Sequence, residues 1–218
     1  MSALVLFSSL IILLFSIILH ECAHGLAAEY HGDPTARQMG RITLNPIPHL
    51  DPIGSVLLPG IMILMSLVGF RGMIFGWAKP VPINPYNLND PKRDMMWIGL
   101  AGPATNFGIA LLLALLFRLL TFPVLAFPPS LAVIILFYGV TINLLLAIFN
   151  LIPIPPLDGS RILTGLLPEE YSYRLSRIEP FGFIILIILL ISGIFSFVFM
   201  LVLRLSMLLT GMPWGLLG

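Results

Sequence analysis

Of the 218 residues, 58% are hydrophobic and only 10% charged. About a quarter of an average soluble domain is charged, so this composition excludes an ordinary soluble domain and fits a chain built for lipid. The net charge of +1 comes from scattered Lys and Arg, which excludes the basic stripe that binds nucleic acid, and the single cysteine, Cys22, excludes an intrachain disulfide.

A helix needs about 20 apolar residues to cross the hydrocarbon core, and five runs approach that length. The first, Ala3 to Ala28, has no basic residue before it and no cleavage pattern after it, so it is read as a retained membrane segment. A polar stretch, Glu29 to Asp51, follows. Within it, the alternation over Arg37 to Leu44 predicts a short strand whose edge could hold an unfolded substrate by strand addition. The second run, Pro52 to Phe70, is interrupted by Pro59-Gly60, which predicts a re-entrant or interfacial hairpin. Met95 to Leu120, Leu131 to Ile152 and Phe181 to Leu203 complete the set. They are separated by polar, Pro-rich or Gly-rich connections at Arg71 to Asp94, Thr121 to Ser130 and Pro153 to Pro180. The expected fold is all-α and integral to the membrane, one domain over residues 1–218. It has four to five transmembrane helices, the hairpin, and room for the short strand.

His20-Glu21-Cys22-Ala23-His24 reads H-E-x-x-H at the end of the first run. Residues four apart share a helix face, so both imidazoles can reach one metal ion while Glu21 stands ready to accept a proton from its water. Zinc suits such a site but needs a third protein ligand, with the fourth position left to water. Among the few acids, Asp158 stands out just beyond the fourth run, because Pro153, Pro155 and Pro156 forbid regular helix and can aim a side chain into a cavity. Polar residues at membrane depth are costly and mark function.

These residues resemble the site-2 proteases, intramembrane metalloproteases of the M50 class. The resemblance rests on His20-Glu21-x-x-His24, on Gly102-Pro103-x-x-Asn106 and on the Asn150 to Gly159 segment with Leu157-Asp158-Gly159. The stretch Gly76 to Asn84 is similar to that of a compact prokaryotic branch without extra soluble domains. The resemblance implies hydrolysis of peptide bonds in membrane-spanning substrates within or near the bilayer. It implies one Zn2+ per chain on His20, His24 and Asp158, Glu21 as the base, and Asn106 or Asn150 as side-chain donor to the oxyanion.

If His24 and Asp158 end their helices and share an ion, the first and fourth runs cross in the same direction, and only an odd number of crossings separates them. The broken second run is then the one that does not span. Nine of the eleven basic residues fall on the metal side, leaving Arg118 and Arg204 on the other, which places the site towards the cytoplasmic face of a prokaryotic cell membrane. A membrane metal or ion transporter and an inactive scaffold of the same fold are the competing readings; the first needs no general base, and the second would not need Glu21. His31 and His49 read as loop residues, although His49-Leu50-Asp51 could hold a second ion.

Overall fold

The computed structural model describes residues 3–67, 77–121 and 131–213, and among these it is all-α with no strand. In chain order the helices are α1 (Ala3–Tyr30), α2 (Thr35–Gln38), α3 (Leu58–Leu67), α4 (Pro91–Thr121), α5 (Leu131–Asn150), α6 (Asp158–Leu166), α7 (Glu169–Ser176), α8 (Gly182–Ile191) and α9 (Ile194–Thr210). Helices α1, α4 and α5 are long and apolar enough to cross a membrane, which makes this an integral membrane protein.

The fifth apolar run is not one straight helix. It breaks between α8 and α9, where Gly193 takes the left-handed conformation at φ +84° and the axis bends by 74°. Helix α9 then packs into the bundle: Val198 and Val202 meet Ala110 and Ala114 of α4 and Val140 and Leu144 of α5. A second cluster, Phe117, Val133, Phe137, Met207 and Met212, closes the far end of the bundle. There the Arg118 guanidinium donates to the carbonyls of Leu208 (2.8 Å) and Leu209 (2.5 Å), satisfying the C-terminal groups of α9.

Two expectations for the connecting segment need correction. Residues Arg37 to Leu44 form α2 and turns, not a strand. The Asp33 carboxylate accepts from Thr35 N (3.1 Å) and Thr35 Oγ1 (2.5 Å), which starts the short helix, and Gly40 at φ +64° then turns the chain. Nor does the second run break at Pro59-Gly60. A π-helical turn, Pro52–Leu57, leads directly into α3. Pro59 has no N–H to give, and the Gly54 carbonyl, five residues back as π pairing counts, accepts from Trp77 N (3.2 Å) instead. The 16 helical residues from Pro52 to Leu67 reach about 24 Å, short of the ~30 Å hydrocarbon core. Residues 68–70 of the expected hairpin lie outside the described residues.

The crossing count holds all the same. From Ser16 to His24, α1 meets α4 at Asn106 and then at Ile98, so the two run antiparallel. Asn106 bonds Asn143 near the middle of α5, while Phe117 near the end of α4 meets Val133 near the start of α5. Helices α1 and α5 therefore run parallel, and among the described residues α4 is the one helix between them long and apolar enough to span.

Asp33 ties this architecture together. It is fully buried and also accepts from Asn84 N (2.7 Å) and Asn87 Nδ2 (2.9 Å), joining the end of α1 to the approach to α4. Burial alone would raise its pKa, but these donors hold the carboxyl below the ordinary range. Its contribution to stability is therefore present above the unfolded carboxylate pKa of about 3.9 and lost as pH falls through the lower folded value. Asp33→Ala is expected to cost about 2–4 kcal/mol. Thermal unfolding in detergent at pH 7 should show it as a Tm drop of roughly 5–15 °C.

A candidate metal centre at the end of the bundle

His20 and His24 lie one turn apart on α1, both nearly buried. Asp158 lies beyond α5, which ends at Asn150. It opens α6 after the 151–157 turns, where a carboxylate is favoured by the helix N-terminus. One face of α4 admits both groups. A Cβ at Gly99 would lie 3.2 Å from Asp158 O and 3.1 Å from Arg161 Cβ. One at Gly102 would lie 2.5 Å from His24 Nε2 and 2.6 Å from His20 Nε2. Only hydrogen at Gly102 leaves room for the two imidazoles, and at Gly99 a methyl would press tightly on α6. Pro103 sits inside α4, and Gly102-Pro103 lies on the face that packs against the site.

His20 Nε2 and His24 Nε2 are 3.0 Å apart, and Asp158 Oδ2 lies 3.1 and 3.2 Å from them. Hydrogen bonding fixes which nitrogens are bare. Asn106 Nδ2 donates to Ser16 O (3.3 Å) and Asn143 Oδ1 (3.0 Å), so its Oδ1 can only accept, and it accepts from His20 Nδ1 at 2.5 Å. Asn143 is held in turn by its own Nδ2 donating to Gly139 O (2.9 Å). His24 Nδ1 donates to the Ile98 carbonyl (2.6 Å). Each neutral ring therefore carries its proton on Nδ1 and a bare lone pair on Nε2. Two lone pairs and a carboxylate oxygen at this spacing repel unless a cation lies among them. Tetrahedral zinc, with bonds of about 2.0–2.2 Å, separates its ligand atoms by roughly 3.3–3.6 Å. The three donors fit that ion to within a few tenths of an ångström.

The three donors and Glu21 line one cavity of ≈ 110 Å³ with Val81 and Asn150. At about 30 Å³ each, it holds a few waters. Glu21 Oε2 accepts from the Val81 N–H at 2.7 Å, and Arg161 Nη1 stands 3.7 Å from Asp158 Oδ1, the oxygen turned away from the histidines.

Of the two expected oxyanion donors, Asn106 is corrected. It is fully buried behind His20 with both amide hydrogens committed, and orients the imidazole instead. Asn150 lines the cavity, and its Nδ2 donates to Leu146 O at 2.9 Å. His31 pairs with Asp94 (2.9 Å), Cys22 Sγ donates to Thr43 O, and His49 Nε2 donates to the same carbonyl. Asp51 Oδ1 caps Ile53 N and Gly54 N, and among the described residues the one group of three or more donors able to hold a metal is His20, His24 and Asp158. Sequence reading missed Asn143, Arg161, the Ile98 carbonyl and the Val81 amide. Only Asn143 leaves a trace there, as an amide within the apolar stretch of the fourth run.

Comparison with known proteins agrees with this geometry. The model of peptidase family M50 matches residues 127–193. The chain is 35% identical over 192 residues to "Putative zinc metalloprotease YwhC" of Bacillus subtilis strain 168, covering 86% of this chain and 82% of that protein. It is 33% identical over 179 residues to "Putative zinc metalloprotease Rip2" of Mycolicibacterium smegmatis, covering 82% of this chain and 64% of that one. Against "Zinc metalloprotease MJ0392" of Methanocaldococcus jannaschii the identity is 28% over 190 residues, 86% of this chain and 43% of the relative. No solved structure matches. With its three-donor cluster beside a glutamate, and a relative of this identity matched over most of its length, the chain belongs to the M50, or site-2 protease, family of metalloproteases.

Proposed function

We propose that this chain is an intramembrane zinc endopeptidase that hydrolyses peptide bonds of membrane-spanning proteins. The observation that carries the reading is the convergence of two bare imidazole Nε2 atoms and one carboxylate oxygen in a cavity that Glu21 shares. His20, His24 and Asp158 hold one zinc ion per chain. When bound, zinc supplies Lewis acidity to a water molecule and to the scissile carbonyl. Glu21 takes a proton from the attacking water and returns it to the leaving amine. Asn106 and the Ile98 carbonyl keep the histidine lone pairs aimed at the ion. Asn150 has a second amide hydrogen beyond the one given to Leu146, and offers it to the developing oxyanion.

A helical substrate hides its carbonyls in its own hydrogen bonds, so it must unwind locally before it can enter a cavity of this size. The basic residues Arg37, Arg41, Lys79, Lys92, Arg93 and Arg161 lie with the metal site, opposite Arg118 and Arg204, which supports a cytoplasmic placement of the site. Partners are thus a membrane-protein substrate and the bilayer, with no nucleic acid.

The test is cleavage of a single-span membrane protein in proteoliposomes, with product masses giving the bond cut. A cut within or at the edge of the span, lost on chelation and restored by zinc, is expected. Cleavage confined to soluble loops, or indifferent to chelator, would overturn the intramembrane reading.

A further inference from the structure

Between Trp77 and Asn84 the chain runs without helix past the metal cavity. Its amides point inward at every second residue, as in extended backbone: Trp77 N to Gly54 O (3.2 Å), Lys79 N to His49 O (2.9 Å) and Val81 N to Glu21 Oε2 (2.7 Å). Pro80 and Pro82 occupy the alternate positions, where they remove the outward donors and pre-set φ near −65°.

Inward carbonyls are held as well. The buried Arg41 guanidinium donates to Lys79 O (2.7 Å) and Pro80 O (3.2 Å), and Ser55 Oγ donates to Trp77 O (2.8 Å). The far end is fixed by Asn84 N on Asp33. Gly25, one turn after Glu21 on the same face of α1, brings Val81 close to the helix: a Cβ there would meet Val81 Cγ1 at 3.3 Å, a tight contact.

We infer that the Val81 backbone N–H is the positioning group for Glu21: it fixes Oε2, so that Oε1 is the oxygen presented to the attacking water. This rests on the reading of Glu21 as the base. Anchoring on both sides of Val81 marks the segment as a rigid support, not as a lid whose release would free the base. A carboxylate on a flexible two-carbon stem otherwise samples several rotamers, and a displacement of about 1 Å at a reacting group costs on the order of 10²-fold in rate.

Val81→Pro deletes the amide hydrogen in a segment that already holds Pro80 and Pro82. In zinc-loaded, full-length protein it is expected to lower kcat roughly 10- to 100-fold, with KM and zinc content within about twofold of wild type. Val81→Ala, which keeps the N–H, should recover most of that loss. Should Val81→Pro fail to fold, Arg41→Met loosens the same segment from a distance and is expected to lower kcat without raising KM. An unchanged or increased kcat in Val81→Pro, a loss equally large in Val81→Ala, or a loss carried by KM or zinc would overturn the inference. Glu21→Gln measured alongside separates the two claims. If Glu21→Gln still hydrolyses substrate, the base assignment fails; if it is inactive while Val81→Pro is unimpaired, only the positioning role fails.

Discussion

Glu21→Gln is expected to lower peptide hydrolysis by about three to four orders of magnitude while zinc stays bound at one per chain. Glutamine keeps the size of the side chain, and its carbonyl oxygen can still accept the Val81 N–H that Glu21 Oε2 accepts at 2.7 Å. What it loses is the oxygen able to take a proton. The three donor atoms, 3.0–3.2 Å apart, belong to other residues, so the metal site stays intact. Single-turnover cleavage with zinc analysis on the same preparation reads both quantities. The variant also separates the chemical classes open to a buried His–Asp site in a membrane. A metal transporter would keep its flux without a base, and a scaffold would have no hydrolysis to lose.

Gly102→Ala should abolish zinc binding without unfolding α4. The added methyl would stand 2.5 Å from His24 Nε2 and 2.6 Å from His20 Nε2, nearly 1 Å inside normal contact. A retreat of helix α4 would disturb its packing against α5 and α9, where Ala110 and Ala114 meet Val140, Leu144, Val198 and Val202. The imidazoles must therefore turn away, breaking the bonds to Asn106 and Ile98 that aim their lone pairs. Alanine is a better helix former than glycine by about 1 kcal/mol, so circular dichroism should stay near wild type while zinc falls below roughly a tenth per chain. Zinc retained near one per chain would mean that α4 does not form the wall of the site.

Much of the site was readable because its spacing is a property of helices. His20 and His24 stand four apart, and that alone places two imidazoles on one face. Asp158 was findable because so few acids exist in the chain and three prolines precede it. What escaped are contacts made by backbone or through a third helix. The Ile98 carbonyl and the Val81 amide belong to every residue type alike, and Asn143 acts on His20 only by way of Asn106. The misread elements share a cause: a side-chain or tertiary bond outweighs the local pattern. Asp33 coils the Arg37 region that alternation would extend. Trp77 supplies the donor that Pro59 withholds, so the second run stays helical. At Gly193 the reverse occurs, and one glycine in a largely apolar run bends it.

The most direct test of the metal centre is elemental zinc analysis of detergent-purified wild type beside Asp158→Ala. One zinc per chain in the wild type, lost in the variant, is the predicted result, since the two imidazoles alone leave the ion without its third protein ligand. A wild-type chain that purifies without zinc and does not take it up, or an Asp158→Ala chain that keeps its full complement, would contradict the site.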